Sequence, residues 1–174
     1  MRDRHGVVID KDVLDRECPY LEAVILETMR IKPIPYAKPR SVKKTFIMDG
    51  YQIPKGWGVV GSILNTHELD PMTYQDDFSH MDIEKGFVPE RWLEESTRPK
   101  ADFIPFGAGP RRCLGANLAI AEMQVFLAVL ARNIDFELVD TSLELEWEGR
   151  SIIPKLTNGV PIIVRPKIAA ASMP

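Results

Sequence analysis

Apolar residues concentrate in two long stretches of this chain, separated by a middle region where short apolar runs are broken by Pro, Gly and Asp. The first stretch spans residues 19–31. Leu21, Val24, Ile25 and Thr28 recur at i, i+3, i+4 and i+7, which is one face of a helix. Pro19 suits an early helical position, where its missing N–H is not needed. Ala23, Leu26, Met29 and Ile31 fill most of the remaining surface, so the pattern predicts a helix buried nearly all round. Glu27 and Arg30 stand inside that shell, three residues apart and therefore neighbours. A charged pair buried there must be compensated by its own members and by further hydrogen bonds. The second stretch, residues 117–132, is rich in Ala, Leu and Val and has almost no polar face, which predicts a central buried helix. Asn133 suits its C-terminal end. Glu122, Gln124 and the short length argue against a membrane span.

Between the two, Pro33, Pro35 and Pro39 exclude helix and predict a stiff, extended connection. Asp49-Gly50 marks a hairpin between residues 45–48 and 51–53. Pro54-Lys55-Gly56 is a second turn, and residues 57–64 read as a strand or a strand-to-helix transition. Residues 71–102 are loop-rich, with 94–100 as a solvated surface loop. Near the start, residues 10–16 fit either a helical turn or a linker. In the tail, residues 143–147 alternate as a strand with one wet face, and Asn158-Gly159 is a turn before a last strand over 160–164. The sum is a mainly α chain with small antiparallel β-sheets, an α+β class.

Chemistry concentrates in residues 103–115, Phe-Ile-Pro-Phe-Gly-Ala-Gly-Pro-Arg-Arg-Cys-Leu-Gly. Gly107, Gly109 and Gly115 permit positive φ and let backbone approach a ligand face, and Pro110 stiffens the turn. Cys113 stands just ahead of a helix start, where unpaired N–H groups and the dipole favour an anion, hence a thiolate. Arg111 and Arg112 add cations suited to a carboxylate-bearing partner. The loop points to a thiolate that binds a metal or acts as a nucleophile. Nucleophilic catalysis needs a general base, and no histidine lies near Cys113 in sequence. His67 precedes Asp70-Pro71 without a second His or Cys at ligand spacing, which favours a structural role, and His5 and His80 belong to no constellation.

Phe106, Gly109, Arg111, Cys113 and Gly115 stand in the pattern F-x-x-G-x-R-x-C-x-G, which resembles the haem-binding loop of the cytochrome P450 (haem-thiolate) monooxygenases. Other segments resemble the same family: Glu27-Thr28-Met29-Arg30 its E-x-x-R, residues 51–56 its Y-x-I-P-x-G, and Pro89-Glu90-Arg91-Trp92 its P-E-R-F/W. The resemblance implies the C-terminal part of the P450 fold, with residues 1–174 as a single partial domain. It implies haem held through Cys113 as iron ligand, with Phe106 beside the sulfur, Gly109 and Gly115 giving the loop its close approach, and Arg111 and Arg40 on haem propionates. It makes Arg91 the third member of a buried network with Glu27 and Arg30, residues 34–37 candidate pocket positions, and residues 156–160 a further pocket region. The implied reaction inserts one oxygen atom from O₂ into a small apolar organic substrate, with NAD(P)H-derived electrons delivered by a reductase or a ferredoxin-type donor. Arg112 occupies a variable position facing solvent or that donor. Every matching motif belongs to the family's C-terminal part, so the resemblance also implies an incomplete chain, inactive alone. The alternative is a non-catalytic relic that retains only this half of the haem site.

Composition changes little in this picture. With 174 residues the chain can build one domain core, and a formal charge of −3 gives no reason to expect nucleic acid as partner. Two cysteines make no disulfide framework, so an intracellular setting, cytoplasmic or membrane-associated, is expected.

Overall fold

The computed structural model describes residues 11–99, 102–140, 142 and 156–167. Two helices open the chain, α1 (Lys11–Glu17) and α2 (Pro19–Ile31), separated at Cys18. Strands β1 (Ala37–Ser41), β2 (Phe46–Met48), β3 (Tyr51–Ile53) and β4 (Gly58–Ser62) follow, then helix α3 (Ile63–Glu68). A long irregular segment holds 3-10 turns at Ser79–Met81, Pro89–Trp92 and Gly109–Arg111. Helix α4 (Ala116–Asn133) and strands β5 (Ile134–Leu138) and β6 (Ile162–Pro166) complete the described residues. Helices with small antiparallel two-stranded sheets make the α+β class expected from the sequence.

Helix α2 has the predicted limits, but its buried face is not the predicted one. Ala23, Glu27, Arg30 and Ile31, at i, i+4, i+7 and i+8, are buried together with Ile25, whereas Thr28 and Tyr20 are exposed. The helix is therefore not buried nearly all round. Its packed stripe runs through the two charged residues, because partners distant in sequence satisfy them there. The Thr28 hydroxyl instead donates to the Val24 carbonyl, 2.8 Å away, on the outer face. Burial of Ile25 and Ile31 contributes about 1.5–3 kcal/mol each.

A second expectation is corrected in α4. Only Ala116, Gln124 and Ala128 are buried. Leu118 is 65 % and Phe126 63 % exposed, and Val125 and Val129 lie on the surface as well. The helix has almost no polar face, yet α1 and α2 pack against it on one side, and Leu118, Val125, Phe126 and Val129 are left exposed among the described residues.

The hairpin is as the sequence predicts. Phe46↔Ile53 and Met48↔Tyr51 pair across Asp49-Gly50, whose φ angles of +51° and +80° give the left-handed turn that Asp-Gly favours. Strand β1, expected only as an extended connection, pairs with β4 from Ala37↔Ser62 to Ser41↔Gly58. Pro39 is tolerated because β1 belongs to a two-stranded sheet, where one side of the strand needs no ladder bond. The end of β4 leads directly into α3, where the Ser62 hydroxyl caps by accepting from the Asn65 N–H, 3.1 Å away. The Tyr36 carbonyl accepts from the Ile63 and Leu64 N–H groups at 2.8 and 3.1 Å, which fixes α3 against the start of β1. The last strand is β6, displaced two residues from the predicted 160–164. Its partner β5, Ile-Asp-Phe-Glu-Leu, carries the period-two alternation of a strand but is not among the strands expected from the sequence. The strand expected over 143–147 lies outside the described residues, as does His5.

Candidate functional site

The cysteine loop is held by its own backbone. Gly107 N–H donates to Ile104 O at 2.8 Å, Arg112 N–H to Gly109 O at 3.0 Å, and Cys113 N–H to Phe106 O at 3.0 Å. Gly107 and Gly109 adopt φ of +73° and +65°, conformations an L side chain resists. At Gly109 a Cβ would meet nothing within 4 Å, so the backbone there borders open space. Cys113 carries a free, exposed thiol. It sits two residues ahead of Gly115, the N-cap of α4, hence just outside the first helical turn. Arg111 and Arg112 are exposed beside it.

Strand β1 forms the opposite wall. Lys38 and Arg40 project into a cleft of about 340 Å³ bordered by Val59, Ser62 and Thr66 and, across it, by Gly107 and Ala108. Arg40 is exposed and donates to the neighbouring Pro39 carbonyl at 2.8 Å. Lys38 Nζ reaches the Phe106 carbonyl at 3.1 Å, the same oxygen that takes the Cys113 N–H. A Cβ at Gly107 would lie 2.1 Å from Lys38 Nζ, so glycine is what admits this contact. Nothing in the spacing of the sequence singled out Lys38. Of the positions 34–37, Ile34 is largely exposed and Tyr36 works through its carbonyl on α3. In the region 156–160, Gly159 turns with φ of +67°.

Behind the loop, Glu27, Arg30 and Arg91 meet as expected, and with more partners than expected. Glu27 is 0 % and Arg30 1 % exposed. Glu27 Oε1 accepts from Arg30 Nη2 at 2.9 Å, Arg91 Nε at 3.1 Å and the Val88 N–H at 3.0 Å. Its Oε2 accepts from Arg30 Nε at 3.0 Å and Trp92 Nε1 at 2.8 Å. Arg30 Nη2 also donates to the carbonyls of His80 and Gly86 at 2.6 and 3.0 Å. Burial alone would raise the Glu27 pKa. The bonds from Arg30, Val88 and Trp92, with the Arg30 charge, outweigh it and hold the carboxyl below its ordinary range. Trp92 and Val88 were missed because an indole N–H and a backbone N–H leave no charge signature in a sequence.

Gly86 completes this arrangement by closeness. A Cβ there would fall 2.4 Å from Ser79 O and 2.5 Å from the His80 backbone. Gly86→Ala is expected to push these backbones apart and dislodge two acceptors of Arg30, at about 1–3 kcal/mol or more. Urea denaturation measures it, and an unchanged midpoint would mean that this contact is not needed.

Two histidines tie the irregular segment together. His80 Nε2 donates to Glu68 O at 2.7 Å and its Nδ1 accepts from the Gln75 N–H at 3.2 Å. His67 lies between Arg30 O, 3.0 Å from Nδ1, and the Ile104 N–H, 3.0 Å from Nε2, with its ring on Phe103 at 5.3 Å. Among the described residues no group of three or more His, Cys, Asp or Glu could hold a metal ion. Among the same residues, no helix is long and apolar enough to cross a membrane.

Comparison with known proteins places this geometry. The family model described as Cytochrome P450 matches residues 12–159. The chain is 39 % identical over 130 residues to Cytochrome P450 26A1 of Xenopus laevis, covering 73 % of this chain and 25 % of that protein. It is 36 % identical over 152 residues to Cytochrome P450 monooxygenase ORF9 of Penicillium roqueforti, covering 86 % of this chain and 28 % of that protein. Among solved structures, retinoic acid bound cyanobacterial CYP120A1 superposes with a TM-score of 0.76 at 26 % identity, over 95 % of this chain and 37 % of that one. The chain thus spans about a quarter of the length of the curated relatives it matches.

Proposed function

The chain belongs to the cytochrome P450 family, and from that premise we propose that it is the haem-binding C-terminal portion of a haem-thiolate monooxygenase, with residues 1–174 as part of one larger domain. The observation that carries this reading is the exposed Cys113 thiol on a loop whose backbone is closed by the Cys113–Phe106 hydrogen bond and bordered by open space at Gly109. The residues fit a flat, iron-centred, dianionic group. A soft sulfur ligand faces outward, a glycine leaves room for a ring face, and Lys38, Arg40 and Arg111 supply cations for carboxylates. Bound there, haem supplies the activation of O₂ that inserts one oxygen atom into a small apolar substrate.

The work of this chain's own residues follows from the geometry. Cys113 is the sulfur ligand, held by its N–H on Phe106 O. Phe106 takes that bond and the Lys38 ammonium on one carbonyl, so the loop has one register. Arg111 and Arg40 neutralise the propionates, with Gly109 and Gly115 keeping the approach clear. The Glu27–Arg30–Arg91 network keeps the support behind the loop rigid. A reductase or ferredoxin-type donor delivers NAD(P)H-derived electrons, and Arg112, exposed beside the thiol, is a candidate contact for it.

The test is spectroscopic. The intact protein, loaded with haem, reduced and exposed to carbon monoxide, is expected to give the red-shifted Soret band of thiolate ligation. A band typical of a nitrogen ligand would overturn the reading.

A further inference from the structure

We propose that His67 is a positioning residue for the cysteine loop: a neutral imidazole, protonated at Nδ1, that anchors the backbone at Ile104 and releases it when the second nitrogen gains a proton. The proposal rests on the reading of Cys113 as haem ligand for its consequence, and on geometry alone for the anchor.

The partners fix the tautomer. Nδ1 faces a carbonyl, Arg30 O, which can only accept, so Nδ1 carries the hydrogen. Nε2 faces a backbone N–H, that of Ile104, which can only donate, so Nε2 offers its lone pair. The ring is 1 % exposed, so water does not substitute for either bond. Ile104 is the residue from which the loop starts. Its carbonyl takes the Gly107 N–H, and the next turn closes through Phe106 O onto the Cys113 N–H. The imidazole therefore spans the gap between helix α2, at the residue whose side chain pairs with Glu27, and the first fixed point of the loop. Sequence spacing suggested only a structural histidine. The structure gives it a specific load.

A proton on Nε2 would set two N–H groups against each other and break the anchor. Burial is the largest influence against that proton, and the Arg30 charge on α2 adds to it. The bond to the Arg30 carbonyl favours the proton, as do Asp70 and Asp102, the acidic groups facing the ring from the segments after α3 and before the loop. The balance holds the imidazole below its ordinary pKa. With the folded value depressed, the unfolded chain binds more protons as pH falls. The anchor's contribution is thus present above about pH 6.5 and lost as pH falls through the lower folded value.

The experiment uses the intact protein with and without haem, in three variants. His67→Gln keeps an acceptor at the reach of Nε2, His67→Asn keeps a donor near Nδ1 only, and His67→Phe keeps neither. Without haem, hydrogen exchange at the Ile104 amide is expected to stay slow in wild type and His67→Gln. In His67→Asn it should speed about five- to tenfold, the worth of one neutral hydrogen bond. With haem, wild type is expected to lose its thiolate-type band in an acid step below pH 6.5 that His67→Gln lacks. Equal protection of Ile104 in the Gln and Asn variants would overturn the proposal, as would an acid step unchanged in His67→Gln. The Gln–Asn pair decides even if His67→Phe does not fold. Slow exchange that follows this pattern in a protein with no thiolate-type band would keep the anchor and remove the haem reading instead.

Discussion

In Cys113→Ala the intact protein, loaded with haem, reduced and treated with carbon monoxide, is expected on the proposed reading to lose the thiolate-type Soret band entirely, while the fold survives. The reason is where the side chain sits. Cys113 is a free, exposed residue on the loop. The structural part of the residue is its backbone N–H on Phe106 O, which alanine keeps. Surface substitutions of this kind usually change stability by less than about 0.5 kcal/mol. Loss of the proposed sulfur ligand, in contrast, would remove the electron donation that a thiolate gives haem iron. Cys18, the only other cysteine of the chain, is half-buried at the junction of α1 and α2 and has its thiol pKa raised by burial. It is a poor substitute. A thiolate-type band that persists in Cys113→Ala would show that the sulfur comes from elsewhere. A collapse of the cofactor-free fold would show that the side chain has a packing role the structure does not give it.

The largest expected loss of stability is at Glu27. Glu27→Ala leaves Arg30, itself 1 % exposed, with no carboxylate and with donors directed at an empty site. Breaking such a buried pair typically costs about 3–5 kcal/mol, a large share of the 5–15 kcal/mol that holds an ordinary domain together. Glu27→Gln is expected to be nearly as harmful, because the native carboxylate accepts from Arg30, Arg91, Val88 and Trp92, and an amide turns one acceptor into a donor facing donors. The contribution is also pH-dependent. The folded carboxyl titrates below its ordinary value, so its stabilisation is complete above about pH 4.5 and fades as pH falls through the depressed folded value. Denaturant midpoints measured from pH 7 downward should fall more steeply for wild type than for Glu27→Gln. Parallel curves would mean that the Glu27 charge is not what the network depends on.

Much of this protein was legible residue by residue. Asp49-Gly50 determines a hairpin turn because its φ angles suit few other pairs. Pro19 fixes where α2 begins, since the ring lacks the N–H that a later position would need. The glycine-bordered cysteine and the E-x-x-R segment carried the family, because chemistry that needs given residue types at given spacings writes itself into the order of the chain. Such features are set by neighbours within a few residues, which a sequence displays directly.

What only the tertiary structure decided is which surfaces are covered and which groups answer one another. Periodicity put Thr28 on the inner face of α2, where it is exposed, and it led to the expectation of a buried Glu27–Arg30 pair without naming the groups that satisfy those two. Their acceptors and donors, the His80 and Gly86 carbonyls, the Val88 N–H and the Trp92 indole, lie fifty to sixty-five residues further along and carry no charge. Helix α4 was read as buried because it is apolar, but apolarity states only a preference, and burial needs a partner that α1 and α2 supply on one side alone. Lys38 and His67 gained their roles in the same way, through backbone groups of residues 104 and 106 that any amino acid there would offer. Local conformation costs and gains free energy within a turn, so order along the chain determines it. Burial and hydrogen-bond satisfaction are settled between segments, and there the fold decides.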